Sequence, residues 1–206
     1  MRFTKYTSDG LLRGADDPDG TRSTSLQGQL LIASPHMEDP RFKHSVILMC
    51  QHDNNAAMGV MINRQSNQIN LSQLCKTLEM GTPRFCGDQP VFIGGPVENG
   101  RGFVLHSQDH MRPESVAVTD EIGLTSSVKF LRDITDGTGP ARSIVSLGYA
   151  GWSAGQLETE LTENAWLHLP STSDLVFDPH VDNIWHKAYA QLGVNPGLYV
   201  NQPGSA

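Results

Sequence analysis

Residues 147–166 read LGYAGWSAGQLETELTENAW, and this stretch decides how the rest of the chain is understood. An apolar, β-prone run over residues 143–147 meets glycines at Gly148, Gly151 and Gly155. A missing Cβ there admits turns and close backbone approaches that a side chain would block. A helix start follows. Ser153 and Gln156 have the spacing of a capping box, in which a hydroxyl and an amide each satisfy a free backbone donor. Leu157 and Leu161, four apart, share one helical face. The stretch therefore predicts strand, glycine-rich turn, helix, which serves equally as a catalytic turn or as a structural corner.

Upstream, residues 1–25 hold Asp9-Gly10 and Asp16-Asp17-Pro18-Asp19-Gly20 and few apolar groups, so they are expected to form a flexible arm. Residues 28–33 read as a strand stopped by Ser34-Pro35. The run from Ser45 to Cys50 is too uniformly apolar for a half-exposed strand and predicts one buried on both faces. It should pair as a hairpin with residues 58–63 across the turn at His52-Asp53-Asn54-Asn55. The clearest helix begins at Asn70, where Gln73 completes a capping-box spacing and Leu71, Leu74, Cys75 and Leu78 recur on one face, with Gly81 marking its end.

Residues 90–93 and 101–106 are expected to form a second hairpin around Gly94-Gly95-Pro96. Thr125 can cap a helix carrying Val128, Leu131 and Ile134, closed by Asp136-Gly137. Beyond the opening stretch come a short strand at residues 166–169 and a last helix begun by Asp178-Pro179, with Ile184, Ala188 and Leu192 on one face and Gly193 at its end. Hairpins and strand–helix alternation occur together, which predicts a mixed α+β architecture. No internal repeat or interior linker divides it, so one domain is expected over residues 26–193, followed by a polar tail over 194–206.

The pieces GQLLIASPHMEDPRFKHSVILMCQH from Gly28, AAMGVMINR from Ala56, VFIGGPV from Val91, RGFVLH from Arg101 and LGYAGWSAGQLETELTENAWL from Leu147 form a recognisable series, closed by the helix of residues 178–193. In that order the chain resembles the YqgE/AlgH family of bacterial proteins. The resemblance implies a single α+β domain whose mixed, branched sheet curls into a barrel-like core with flanking helices. Some members are labelled transcriptional regulators, and no catalytic residues carry over. The chain departs from the family in its longer arm before Leu26, its extension after Gly193, and the lack of a proline soon after Asn63-Arg64.

Charge narrows the function. With 15 Lys and Arg against 22 Asp and Glu, the net charge of −7 weighs against a broad grip on nucleic acid, which needs Lys and Arg to displace phosphate counterions. The three cysteines, Cys50, Cys75 and Cys86, are odd in number and lack CxxC pairing, which points to reduced thiols and a cytoplasmic location. No run approaches the roughly 18 apolar residues of a membrane span, and the N-terminus has no signal-peptide core.

The sharpest chemical candidate is Gly151-Trp152-Ser153-Ala154-Gly155, which matches the G-x-S-x-G nucleophile elbow in strand–turn–helix context. Asp174 or Asp178 could orient a base at His180 or His186, and Ser153, Asp178 and His186 form the triad of a serine-hydrolase alternative. Against it stands the reading of Ser153 as a cap. Gly94, Gly95 and Arg101 could meet an anion through backbone amides and a guanidinium, with Trp152 as a ligand wall, although a glycine corner and a core tryptophan explain the same residues. His106 and His110 have metal-binding spacing only on a helix, which their strand and loop setting denies, so no metal is expected. Cys86 is the thiol to test, and Glu158, Glu160 and Glu163 read as a solvated helix face. The favoured function is a cytosolic, non-enzymatic binding or regulatory protein without a cofactor. Its partner would be a protein or a small molecule, and any effect on transcription would be indirect.

Overall fold

The computed structural model describes residues 25–85 and 87–199. The arm of residues 1–25 therefore lies, apart from Ser25, outside the described residues, as do Cys86 and residues 200–206 of the tail. Strand β1 (Gln29–Ala33) pairs antiparallel with β2 (Val46–His52), and β2 with β3 (Ala56–Met61). The uniformly apolar run is buried on both faces, as its sequence predicts. Leu48 and Cys50 enter one core cluster, while Ile47 and Met49 enter another on the opposite side. Strand β4 (Gln65–Asn70) runs directly into helix α1 (Leu71–Thr77). Asn70 caps that helix through a complete capping box with Gln73, and Leu71, Leu74 and Cys75 are buried. The helix ends at Leu78, before Gly81.

The second expected hairpin does not form. Strand β5 (Pro90–Ile93) pairs antiparallel with β4 and parallel with β9 (Ser143–Ser153). Strand β6 (Val97–Ser107) pairs with the other edge of β9. The long strand thus stands between the two runs that sequence proximity would have joined. Further along β9, residues 150–153 pair with β3. One edge of β9 carries β6, and the other is shared between β5 and β3, which makes the fork of a branched sheet. Strands β7 (Val116–Ala117) and β8 (Ile122–Thr125) extend it beyond β6, and β10 (Trp166–Pro170) closes the far side against β1.

Helices cover both faces of this curled sheet. The inner cluster joins Leu30, Leu48, Val60, Phe103 and Leu105 to α4 (Ser173–Val176) and α5 (Ile184–Gln191). Outside, α1 and α2 (Val128–Asp136) cover Val104 and Val145, and α3 (Gln156–Thr162) covers the end formed by β3, β9 and β10. Thr125 is not the cap of α2. It ends β8, and its hydroxyl accepts from Ser127 N, so the helix begins after Ser127 and closes at left-handed Gly137. The last helix also starts later than Pro179, after a 3-10 turn over Val181–Asn183. Among the described residues no helix is long and apolar enough to cross a membrane.

Candidate functional site

At the fork, Gly94 lies almost on the backbone of β9. Its N–H donates to Leu147 O at 2.7 Å, and its carbonyl accepts from Met61 N at 2.8 Å. A Cβ on Gly94 would sit 2.3 Å from Gly148 O, and one on Gly95 would sit 2.1 Å from the Tyr149 carbonyl carbon. These glycines are needed for a close chain crossing. Both peptide groups of Gly94 are spent on the sheet. Arg101 turns elsewhere, with its guanidinium 5.3 Å from the Phe103 ring and 3.5 Å from Glu98. Gly94, Gly95 and Arg101 therefore do not converge on one anion pocket.

The G-x-S-x-G turn joins β9 to α3. Gly155 caps the helix in the left-handed conformation, and the Ser153 hydroxyl donates to Gln156 Oε1 at 3.1 Å rather than accepting from the Gln156 amide. Ser153 N donates to the same oxygen, so half of the predicted capping box is present. Gln156 passes the chain on to Glu160, whose Oε2 accepts from Trp152 Nε1 at 2.9 Å and Trp166 Nε1 at 2.7 Å. Both indoles are buried and meet edge to face. Trp152 is thus a core anchor tied by a carboxylate. Glu158 bonds His52 Nε2 at 2.8 Å, while His52 Nδ1 accepts from Leu26 N at 2.9 Å. The backbone amide of Glu158 itself, followed by His52, holds this carboxyl below its ordinary range. Two of the three acids read as solvated thus have protein partners, which single-sequence spacing could not reveal.

The other members of the hydrolase triad lie away from this turn. Asp178 is bonded by Lys187 and by the amide and ring of His180, with Lys187 the main reason its carboxyl titrates low. It borders a cavity of about 520 Å³ beside Ser143, at the opposite end of β9 from Ser153. At ~3.3 Å per residue the strand can separate those ends by roughly 30 Å. His186 packs on Trp185, whose indole donates to Ala33 O. His106 is fully buried against Phe130 and bonds Ser107 O through Nδ1, whereas His110 bonds Asp133. Among the described residues no group of His, Cys, Asp and Glu is arranged to hold a metal ion. Cys50 and Cys75 are buried, and burial pushes the Cys50 thiol up to about 12.

Beside the fork opens a groove of about 940 Å³. Phe92, Ile93, Leu147 and Ile69 supply apolar surface, and the rim carries the amides of Gln65, Asn67, Gln68 and Asn99. Arg41 and Arg64 reach it from the side. Of the candidate ligand residues Gly94, Gly95, Arg101 and Trp152, Gly95 alone is among those that line it. An apolar concavity with a few polar groups is the form that ligand and partner sites take. Its residues come from four separate segments, and the polar run QSNQ of β4 gives no motif that would announce it.

The AlgH-like family model matches residues 30–197. A UPF0301 protein of Rhodopseudomonas palustris is 44% identical over 202 residues, covering 94% of this chain and 94% of its own. Another UPF0301 protein, from Beijerinckia indica, is 43% identical over 198 residues, covering 91% and 97%. The solution structure of the AlgH protein from Pseudomonas aeruginosa is similar at a TM-score of 0.74 and 39% identity, over 91% of this chain and 100% of that one. A crystal structure of a Corynebacterium diphtheriae protein, at 20% identity and a TM-score of 0.69 over 84% and 91%, shares the fold.

Proposed function

Because this chain belongs to the AlgH-like family, we propose that it acts as that fold's surfaces suggest, as a non-enzymatic binding protein with a regulatory role. The observation that carries this reading is the engagement of the Ser153 hydroxyl by Gln156, with Asp178 and His186 held in other contacts. A nucleophile needs a base within hydrogen-bond reach, itself oriented by a third group. The groove beside the fork supplies the alternative, a surface suited to contact without chemistry. Its ligand is a protein or a small molecule. Any influence on transcription passes through such a partner, because a chain of net charge −7 is poorly suited to neutralising phosphates.

The direct test is labelling of the native protein with a fluorophosphonate probe beside a control hydrolase. No labelling is expected. Labelling that disappears in Ser153→Ala would restore the hydrolase reading. The same preparation should give no tight, sequence-specific complex with DNA at moderate salt by fluorescence anisotropy, and such a complex would remove the indirect route.

A further inference from the structure

The groove has a charge at odds with the rest of the molecule. In a chain of net charge −7, its lining carries Arg41 and Arg64 and, among the described residues, no carboxylate. A second cavity of about 230 Å³ shares Arg64 with it and adds Lys43, His44 and His186 against one acid, Asp182. The two cavities meet at Arg64, so the loop of residues 40–44 borders a strip that carries Arg41, Lys43 and Arg64 beside Asp39 and Asp182. Asp39 occupies Nε and Nη2 of Arg41 and leaves Nη1.

That loop is fixed in place. Arg64 donates to Arg41 O at 2.6 Å and Lys43 O at 3.1 Å, and Asn63 holds both His44 O and Val46 N. His44 adopts the left-handed conformation, φ 57°, with its ring 4.5 Å from Trp185. A non-glycine residue persists in that region when its surroundings over-determine it, and such residues gather at binding sites. The basic groups are thus presented in advance of any ligand.

Along the groove the sheet leaves an edge. The β4–β5 ladder contains only the pairs Gln65 with Phe92 and Asn70 with Pro90, so residues 66–69 bow out without ladder partners. The same groove is lined by Ile93, 40% exposed and one of three large hydrophobic side chains so exposed among the described residues. A bulged edge strand bordering exposed apolar surface offers an extended peptide side-chain contacts and those main-chain groups not already used, as the Gln68 amide is by Ser66 Oγ at 3.2 Å.

We propose that this groove docks an extended acidic segment of a partner protein along residues 66–69, with apolar side chains on Ile93 and carboxylates toward Arg41 and Lys43. The proposal rests on the binding role argued above and names the partner's chemistry. Charge complementarity selects the segment and speeds its encounter. The short basic strip suits a peptide better than a nucleic acid, whose continuing phosphates would meet the acidic remainder of the surface.

Fluorescence anisotropy of the full chain with a labelled short peptide of alternating Glu and Val, beside its Lys and Val counterpart, tests it. The acidic peptide should bind and the basic one should not. Binding should weaken about tenfold or more in Arg41→Glu and in Ile93→Asp, with unchanged circular dichroism. Should Ile93→Asp unfold the protein, Arg41→Glu combined with Lys43→Glu, both on an exposed loop, carries the same expectation. Absence of binding by the acidic peptide, equal binding of the two peptides, indifference to the substitutions, or displacement by a poly-dT oligonucleotide that binds more tightly would each overturn the proposal. Fluorophosphonate labelling of Ser153 with peptide binding intact would sink only the non-enzymatic reading, whereas an unlabelled Ser153 without peptide binding would sink only the docking site.

Discussion

His106 shows how one side chain can couple this fold to pH. Its ring is fully buried against Phe130, Nδ1 bonds Ser107 O, and Nε2 has no hydrogen-bond partner. A Cβ on Gly123 would stand 2.5 Å from the ring, so β8 closes over it. Burial is the main cause holding its pKa below the ordinary 6.5, reinforced by His110 and opposed by the Ser107 bond and Asp109. The unfolded chain therefore binds this proton more readily than the folded one. Stability linked to His106 is whole above about pH 6.5 and is lost as pH falls below that value. Urea unfolding at about pH 7.5 and about pH 5.5 should show a loss of stability on acidification that is smaller in His106→Gln. Equal losses in the two proteins would reject the linkage.

At the scale of elements, α3 is held less by its own propensity than by the acids on it. Glu160 accepts from both Trp152 and Trp166, joining the helix to β9 and β10. Glu160→Leu leaves two buried indole donors unsatisfied, at about 1–3 kcal/mol each, so a loss of at least about 2 kcal/mol is expected. Glu163→Leu, on the exposed side, should change stability by less than about 0.5 kcal/mol. Equal urea midpoints for the two variants would return Glu160 to the solvated face with Glu163. Structure is legible in this sequence where its signal is local and illegible where it is not. The apolar run of β2 and the Asn70–Gln73 box state their own structure, because neighbours in sequence complete them. The pairing of β5 and β6 with β9 is settled roughly forty to fifty-five residues away, as expected of non-local sheet contacts. Strand β4, spelled QSNQIN, lacks the apolar alternation that would mark it, so the groove it borders was illegible too.

For the whole molecule, β9 makes the two parts of the sheet one unit. It pairs with β6 along one edge and with β5 and β3 along the other, and the inner cluster runs from Leu30 of β1 to Phe103 of β6. No cut between strands leaves both parts with a closed core, which is why a branched sheet can behave as one domain. Gly94 is the position where this is most directly tested, since an added Cβ would strike the Gly148 carbonyl of β9, and a backbone atom there cannot swing aside as a side chain could. Gly94→Ala should cost about 3 kcal/mol, the upper part of the usual range for overpacking. The loss must also be shared. Trp152 and Trp166 report the outer cluster by fluorescence, Trp185 reports the inner one, and far-ultraviolet circular dichroism reports the sheet and helices together. In wild type these probes should give one coincident urea transition, and in Gly94→Ala the same coincident transition at lower urea. If the fork instead joins two independently stable sheets, the fluorescence and circular dichroism curves will separate in the variant, and the chain crossing at Gly94 is a hinge rather than a keystone.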